Sequence, residues 1–167
     1  MGPAQRKVVG DRTIVTLMSS EQRPRAATPA DYDPIAAVID EWWGRPVLPA
    51  LPRLFFDLFH RTSLVADGPG GPEAFLVGIL SSSDARHAYI HFAGVAPQAR
   101  GRGLGRVLYE AFFGLARADG RSLVSAITAP GNSGSVAFHR RMGFTVTGPV
   151  PGYNGPGMDR IVFTRAL

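Results

Sequence analysis

The sequence predicts a mixed α/β (α+β) domain built on a mostly antiparallel central sheet of about six to seven strands, with about four helices. Three observations carry this expectation. The stretch from Ala88 to Asp119 reads as strand, tight glycine loop and long helix. Before it, apolar runs at 62–66 and 74–81 flank the turn-dense Asp67-Gly68-Pro69-Gly70-Gly71-Pro72, the pattern of an antiparallel meander. After it come a strand pattern at 122–128, a helix pattern at 132–142 and two closing strand patterns. A chain of 167 residues that is 45% hydrophobic suits one domain with one core.

Taken in order, residues 1–20 read as an N-terminal extension, expected to be mobile, with an optional edge strand at Thr13–Leu17. A single domain is expected over 21–167. Its first strand is Arg23 to Ala27. Thr28-Pro29 and Asp33-Pro34 each offer a helix start, so a short turn at 29–32 and a main helix from Pro34 are expected. Ile35, Val38, Ile39 and Trp42 form that helix's apolar stripe. Trp42-Trp43-Gly44-Arg45-Pro46 ends it, and Leu51, Leu54, Phe55 and Leu58 mark a second amphipathic helix.

The central strand, 89–95, is rich in aromatic and aliphatic residues, and Pro97 stops it. From Leu104 the residues Val107, Leu108, Ala111, Phe112 and Leu115 recur at helical spacing. Asp119-Gly120 closes that helix. The last helix spans Asn132 to Met142, between strands at Ser122–Thr128 and Phe144–Thr147. A glycine- and proline-rich connection, PVPGYNGPGMD, then leads to a final strand at Arg160–Thr164.

Composition narrows the function. No cysteine is present, which excludes disulfides, thiolate catalysis and cysteine-held zinc. The histidines, His60, His87, His91 and His139, lack metal-ligand spacing, so no metal is expected. No apolar run approaches membrane-spanning length and no secretory signal is evident, so a cytoplasmic protein without a membrane partner is expected. The formal net charge of +5 raises nucleic acid as a partner. The arginines are scattered, however, and no basic helix or stacking platform gathers them, so no nucleic-acid partner is expected.

Between strand and helix lies Arg100-Gly101-Arg102-Gly103-Leu104-Gly105. A helix start presents N–H groups without intrahelical partners at the positive end of the dipole. Glycines let a bulky anion approach these donors, and two arginines add attraction. Read alone, the loop suits a phosphate or pyrophosphate, or is a flexible basic loop without a ligand. It is neither a dinucleotide fingerprint nor a Walker loop, because the glycines alternate and no Gly-Lys-Ser/Thr follows.

A second block, Asn132-x-x-Ser-x-x-Phe-His-x-x-x-Gly-Phe, follows Val95-x-Pro-x-x-Arg-x-x-Gly-x-Gly in the chain. Together the two blocks resemble the GNAT superfamily of N-acetyltransferases. The resemblance implies a GNAT-like sheet splayed around an acyl-CoA site, with the strands at 89–95 and 122–128 parting to admit the cosubstrate. It implies acetyl-CoA as cosubstrate, with Val95 backbone at the pantetheine arm. Arg100, Gly101, Arg102, Gly103, Leu104 and Gly105 would meet the pyrophosphate. Asn132 would meet the pantetheine amide or cap the last helix. It also puts the helix–loop–helix around Glu41, Trp43 and Arg45 at the border of the acceptor site, where these residues serve either as pocket or as ordinary core and surface.

The sequence departs from the family pattern at the acid and the base. His139 stands where many members carry a tyrosine that protonates the leaving thiolate, and histidine can donate a proton at neutral pH. No carboxylate stands on the central strand. By period two Tyr89, His91, Ala93 and Val95 share one face unless a bulge breaks the alternation, and His91 becomes the candidate base. The implied activity is direct acetyl transfer to a primary amine, expected to belong to a small molecule, by a monomer or homodimer. The alternatives are a catalytically weak acyl-CoA-binding regulatory module and a protein or peptide N-acetyltransferase.

Overall fold

Turn chemistry and hydrophobic period produce seven strands and four helices among the residues that the computed structural model describes, 23–167. The expected N-terminal extension, residues 1–20 with its strand at Thr13–Leu17, lies outside them. The strands are β1 (Arg25–Ala26), β2 (Leu64–Gly68), β3 (Gly71–Leu80), β4 (His87–Val95), β5 (Leu123–Thr128), β6 (Thr145–Val150) and β7 (Arg160–Ala166). The helices are α1 (Tyr32–Trp43), α2 (Leu54–Phe59), α3 (Leu104–Ala118) and α4 (Ser133–Arg141). One sheet runs β1-β2-β3-β4-β5-β7-β6, antiparallel except where β4 meets β5. None of these helices is long and apolar enough to cross a membrane.

Helix α1 starts at Tyr32, two residues ahead of the expected Pro34. Proline is tolerated in a first turn because its missing N–H has no intrahelical partner there. The preceding turn is pinned by Asp31. Its carboxylate accepts from the Thr28 backbone N–H at 2.7 Å and pairs with both terminal nitrogens of Arg25, at 2.7 and 2.9 Å. Helix α2 departs further from expectation. Leu51 is buried but precedes the helix, while Leu54 and Leu58 are 48% and 70% exposed and Phe56 takes the inward position. Pro49 and Pro52 interrupt the run, so the helix starts afresh at Leu54 with its own phase.

The two faces of the sheet are packed by different helices. On one face Trp42 and Trp43 of α1 meet Phe75 and Phe92, with ring centroids 6.1 and 5.2 Å apart. On the other lie α3 and α4: Phe112 fills the space above Gly78, and His139 stacks on Phe163 of β7. Two glycines make this packing possible. A Cβ at Gly78 would stand 2.2 Å from the Phe112 ring, and one at Gly94 would stand 2.4 Å from the Trp43 ring.

A bulge in β4 changes which residues face where. Val77 pairs with Phe92 and Gly78 with Ile90, so His91 is the extra residue. Period two therefore fails across it. Ala88 and Ile90 face α3, but beyond the bulge it is Ala93 and Val95 that do so, while Phe92 and Gly94 turn to α1. The expected common face for Tyr89, His91, Ala93 and Val95 is thus corrected: His91 faces the α1–α2 side, stacked on Phe55 at 3.9 Å.

The β4–β5 pairing runs from His87–Leu123 to Ile90–Ala126 and stops where the bulge begins. Past that point the two strands part. Ala96 N–H donates to Glu73 O at 2.8 Å, so by antiparallel alternation the polar groups of Phe92 and Gly94 point to β3 and those of Ala93 and Val95 into the gap.

The close approach at Gly78 gives a direct check on this packing. Gly78→Ala forces Phe112 or the sheet to shift and is expected to lower stability by about 1–3 kcal/mol in urea unfolding. Gly114→Ala, on the exposed side of α3 with open space around it, is expected to hold or raise stability.

Candidate active site

The gap between β4 and β5 opens into two adjoining cavities, one of about 340 Å³ and one of about 720 Å³. They share Trp43, Ala93, Tyr109, Asn132, Ser135 and His139 in their walls. The larger runs beneath the glycine loop to the start of α3. The smaller reaches toward the segment after α1.

The glycine loop is shaped by backbone conformation. Gly101 and Gly103 adopt φ of 77° and 83°, and a Cβ on either would meet no heavy atom within 4 Å. Conformation, not space, therefore calls for glycine there. Gly103 is the residue before α3, so the loop delivers the unpaired N–H groups of a 15-residue helix to the mouth of the larger cavity. Val95, Arg100, Gly101, Gly103, Leu104, Gly105 and Asn132 all line that cavity, whereas Arg102 does not.

The side chains of the two loop arginines are committed to the protein. Arg102 pairs with Glu73 at 3.0 Å. Arg100 donates from Nη2 to Trp42 O at 2.7 Å and from Nε to Val95 O at 3.2 Å. It ties the end of α1 to the end of β4, which holds the Trp43 ring against the cleft. The same wall also holds the exposed Arg106 and Arg141, which sequence reasoning did not select.

Asn132 caps α4. Its Oδ1 accepts from the Ser135 N–H at 3.1 Å, while its Nδ2 donates to Thr128 Oγ1 at 3.1 Å. One turn further in, Nδ1 of His139 lies 2.8 Å from the Ser135 carbonyl. A carbonyl can only accept, so Nδ1 carries the imidazole proton. Nε2 is then a lone pair, and the Tyr109 hydroxyl donates to it at 3.1 Å. Burial holds His139 below the ordinary histidine range, opposed by the Ser135 carbonyl, so the ring is neutral near pH 7. Burial likewise pushes the Tyr109 phenol up.

Tyr109 is the residue that sequence reasoning missed. The expected stripe of α3 ran through Leu104, Leu108 and Phe112, but the helix is also buried along Tyr109, Phe113 and Ala116, because Phe138 and His139 of α4, Phe144 and the Arg165 side chain of β7 cover its flank. That second row, at i, i+4 and i+7, is present in the sequence. The structure thus supplies a phenol from α3 next to the histidine on α4.

His91 lines the smaller cavity. Its Nε2–H donates to Ala50 O at 2.8 Å, which leaves Nδ1 as a lone pair. Burial lowers its pKa, partly offset by the Ala50 carbonyl, so this ring too is uncharged near neutrality. Trp43, Arg45, Pro46, Pro49 and Ala50 complete that end. Glu41, also a candidate for the acceptor border, is not in the wall, and neither is the 152–157 loop.

Residues 32–144 match the model of the acetyltransferase (GNAT) family. Two curated Pseudomonas proteins, from P. aeruginosa and P. paraeruginosa, are each called L-methionine sulfoximine/L-methionine sulfone acetyltransferase. Each is 31% identical over 144 residues, 76% of this chain and 82% of theirs. Among solved structures, Ard1 from Thermoplasma volcanium superposes with a TM-score of 0.72 at 21% identity, over 86% of this chain and 96% of its own. A phosphinothricin acetyltransferase from Sinorhizobium meliloti, solved with acetyl-CoA, gives 0.64 at 22% identity, over 86% and 87%. The parted sheet, the glycine loop at the start of α3 and these matches agree: the chain belongs to the acetyltransferase (GNAT) family and is an N-acetyltransferase.

Proposed function

We propose that the chain transfers the acetyl group of acetyl-CoA directly to the primary amine of a small molecule. The observation that carries this reading is the pair of cavities with a shared wall, one beneath a glycine-shaped helix start and the other beside Arg45 and His91. An amine attacks a thioester without a covalent enzyme intermediate, so the protein's tasks are positioning and proton transfer.

The chain's groups fit the cosubstrate. The N–H groups from Gly101 to Gly105 suit the pyrophosphate, with Arg106 and Arg141 nearby for its charge. The gap-facing backbone of Ala93 and Val95 suits the amides of the pantetheine arm, and Asn132 flanks it. Bound acetyl-CoA supplies an activated acyl group and a good leaving group. At the acceptor end an amine arrives as an ammonium ion and must lose one proton to become a nucleophile. Neutral His91, with its Nδ1 lone pair, is the base assigned to that proton.

The small-molecule acceptor rests on the smaller cavity and on the relatives. Arg45 is the single charged side chain in that wall among the described residues, and no carboxylate accompanies it. A lone cation with apolar neighbours suits an amine whose other end is anionic. The Pseudomonas relatives are named for amino-acid derivatives, which have that character.

Two measurements test the reading. Acetyl-CoA at a hundredfold excess over its dissociation constant should stabilise the fold by about 2.7 kcal/mol. Gly103→Glu, which adds bulk, charge and backbone strain at the loop, should abolish most of that thermal shift; an unchanged shift would place the cosubstrate elsewhere. In a thiol-release assay across an amine panel, Arg45→Ala should raise KM for carboxylate-bearing amines about tenfold or more. It should leave uncharged amines and acetyl-CoA affinity nearly unchanged. Equal effects on both amine classes would remove Arg45 from acceptor recognition.

A further inference from the structure

Tyr109 on α3 and His139 on α4 both stand in the wall that the two cavities share. Tyr109 is 4% exposed and His139 5% exposed, and both face the shared wall. The hydrogen bonds fix an order. Ser135 O receives the Nδ1 proton of His139, and Nε2 receives the hydroxyl proton of Tyr109. A neutral His139 in this tautomer has no proton to offer a leaving group. Its Nε2 is taken up by the hydroxyl of Tyr109. The ring is also held in place: it stacks on Phe163 at 3.8 Å with planes 5° apart, and Phe138 and Phe144 meet it edge-on.

We infer that Tyr109 and His139 form a two-way proton shuttle, in which Tyr109 is the catalytic residue that touches the reacting atoms and His139 is the store behind it. The inference rests on the acetyl-transfer reading above and goes beyond it. Two protons must leave the acceptor nitrogen during the reaction. The first is lost before attack, to His91. The second remains after the N–C bond forms, on a nitrogen attached to the same carbon as the sulfur. Nitrogen and sulfur are then close enough for one hydroxyl to serve both.

As the Tyr109 oxygen takes the proton from nitrogen, its own proton passes to His139 Nε2. When the C–S bond breaks and its electron pair stays on sulfur, the flow reverses. Nε2 returns its proton to the phenol oxygen, and the phenol gives one to the thiolate. The products are the amide and the free thiol, and the pair ends as it began. A bare phenolate never has to persist in a buried site, where its charge would be poorly solvated. The depressed basicity of His139 makes it a transient carrier that readily returns the proton. The other side chains around the ring, Phe138, Phe144 and Phe163, carry no charge, and Ser135 contributes its hydroxyl at 3.3 Å from Nδ1.

The test uses the full chain with L-methionine sulfoximine as acceptor. Tyr109→Phe removes one oxygen and keeps the ring. It should lower kcat at least tenfold, within the range of about 10²–10⁴ typical of acid–base groups, with KM and the acetyl-CoA thermal shift within twofold of wild type. His139→Gln should also lose kcat, and the double variant should fall no further than about twofold below Tyr109→Phe, because the two act in series. Independently of turnover, nitrogen NMR of the unliganded protein should find the His139 proton on Nδ1. In Tyr109→Phe the Nε2 resonance should move toward that of a free imine nitrogen. Wild-type kcat in Tyr109→Phe, multiplicative losses in the double variant, or a proton resident on Nε2 would each overturn the shuttle. Failure of the wild type to acetylate any amine would instead overturn the transfer reading, and the shuttle with it.

Discussion

The parting of β4 from β5 is the constraint on which the rest of the molecule depends. A sheet that kept its ladder through residue 95 would spend the polar groups of Ala93 and Val95 on a neighbouring strand. Here the parallel pairing ends at Ile90–Ala126, and the extra residue at His91 twists the strand away. That one insertion does three things. It opens the cleft, frees backbone donors and acceptors to line it, and turns His91 toward α2 while Ala93 and Val95 turn toward α3. The helices then have to bridge what the sheet no longer holds, and the aromatic cluster of Tyr109, Phe138, Phe144 and Phe163 spans the open side.

The electrostatics of the cleft follow from how the basic residues are used. Arg100 and Arg102, expected beside an anion, also serve as braces, one against the Trp42 carbonyl and one against Glu73. Their positive charge remains near the loop, while their hydrogen-bonding capacity goes into holding the loop's shape. The donors that the loop itself turns to the cavity belong to the backbone, whose positions do not depend on flexible side chains. A site built this way is rigid before anything binds, which favours positioning over induced closure.

Much of this organisation is legible in the sequence because it is written in local rules. Proline and glycine punctuate the strands, apolar period marks α1 and α3, and Asn132 caps α4 where its position says it should. The seven-stranded sheet and the parting of β4 and β5 agree with the reading. What is not legible is set by contacts between distant segments. The phase of α2 depends on Pro49 and Pro52 resetting the chain and on Phe56 finding the core. The facing of His91 depends on a bulge that leaves no local signature. Tyr109 hides among the apolar residues of α3, since a tyrosine on a buried flank reads as packing until its partner on another helix is in view. The roles given to Arg100 and Arg102 similarly require knowing where the end of α1 and the start of β3 lie.

The placement of a phenol on α3 and an imidazole on α4 has a consequence for how such a site can change over generations. Each ring fills the space the other leaves, and each orients the other's proton. A tyrosine put at 139 would bring a second hydroxyl against the first and remove the Nε2 acceptor. A histidine put at 109 would be too short to reach across. Single steps between this arrangement and one with the phenol on α4 therefore break the hydrogen bond that joins the two rings. The two positions, thirty residues apart, are coupled through one hydrogen bond. A designer grafting this cleft onto another chain would have to carry both to keep that bond.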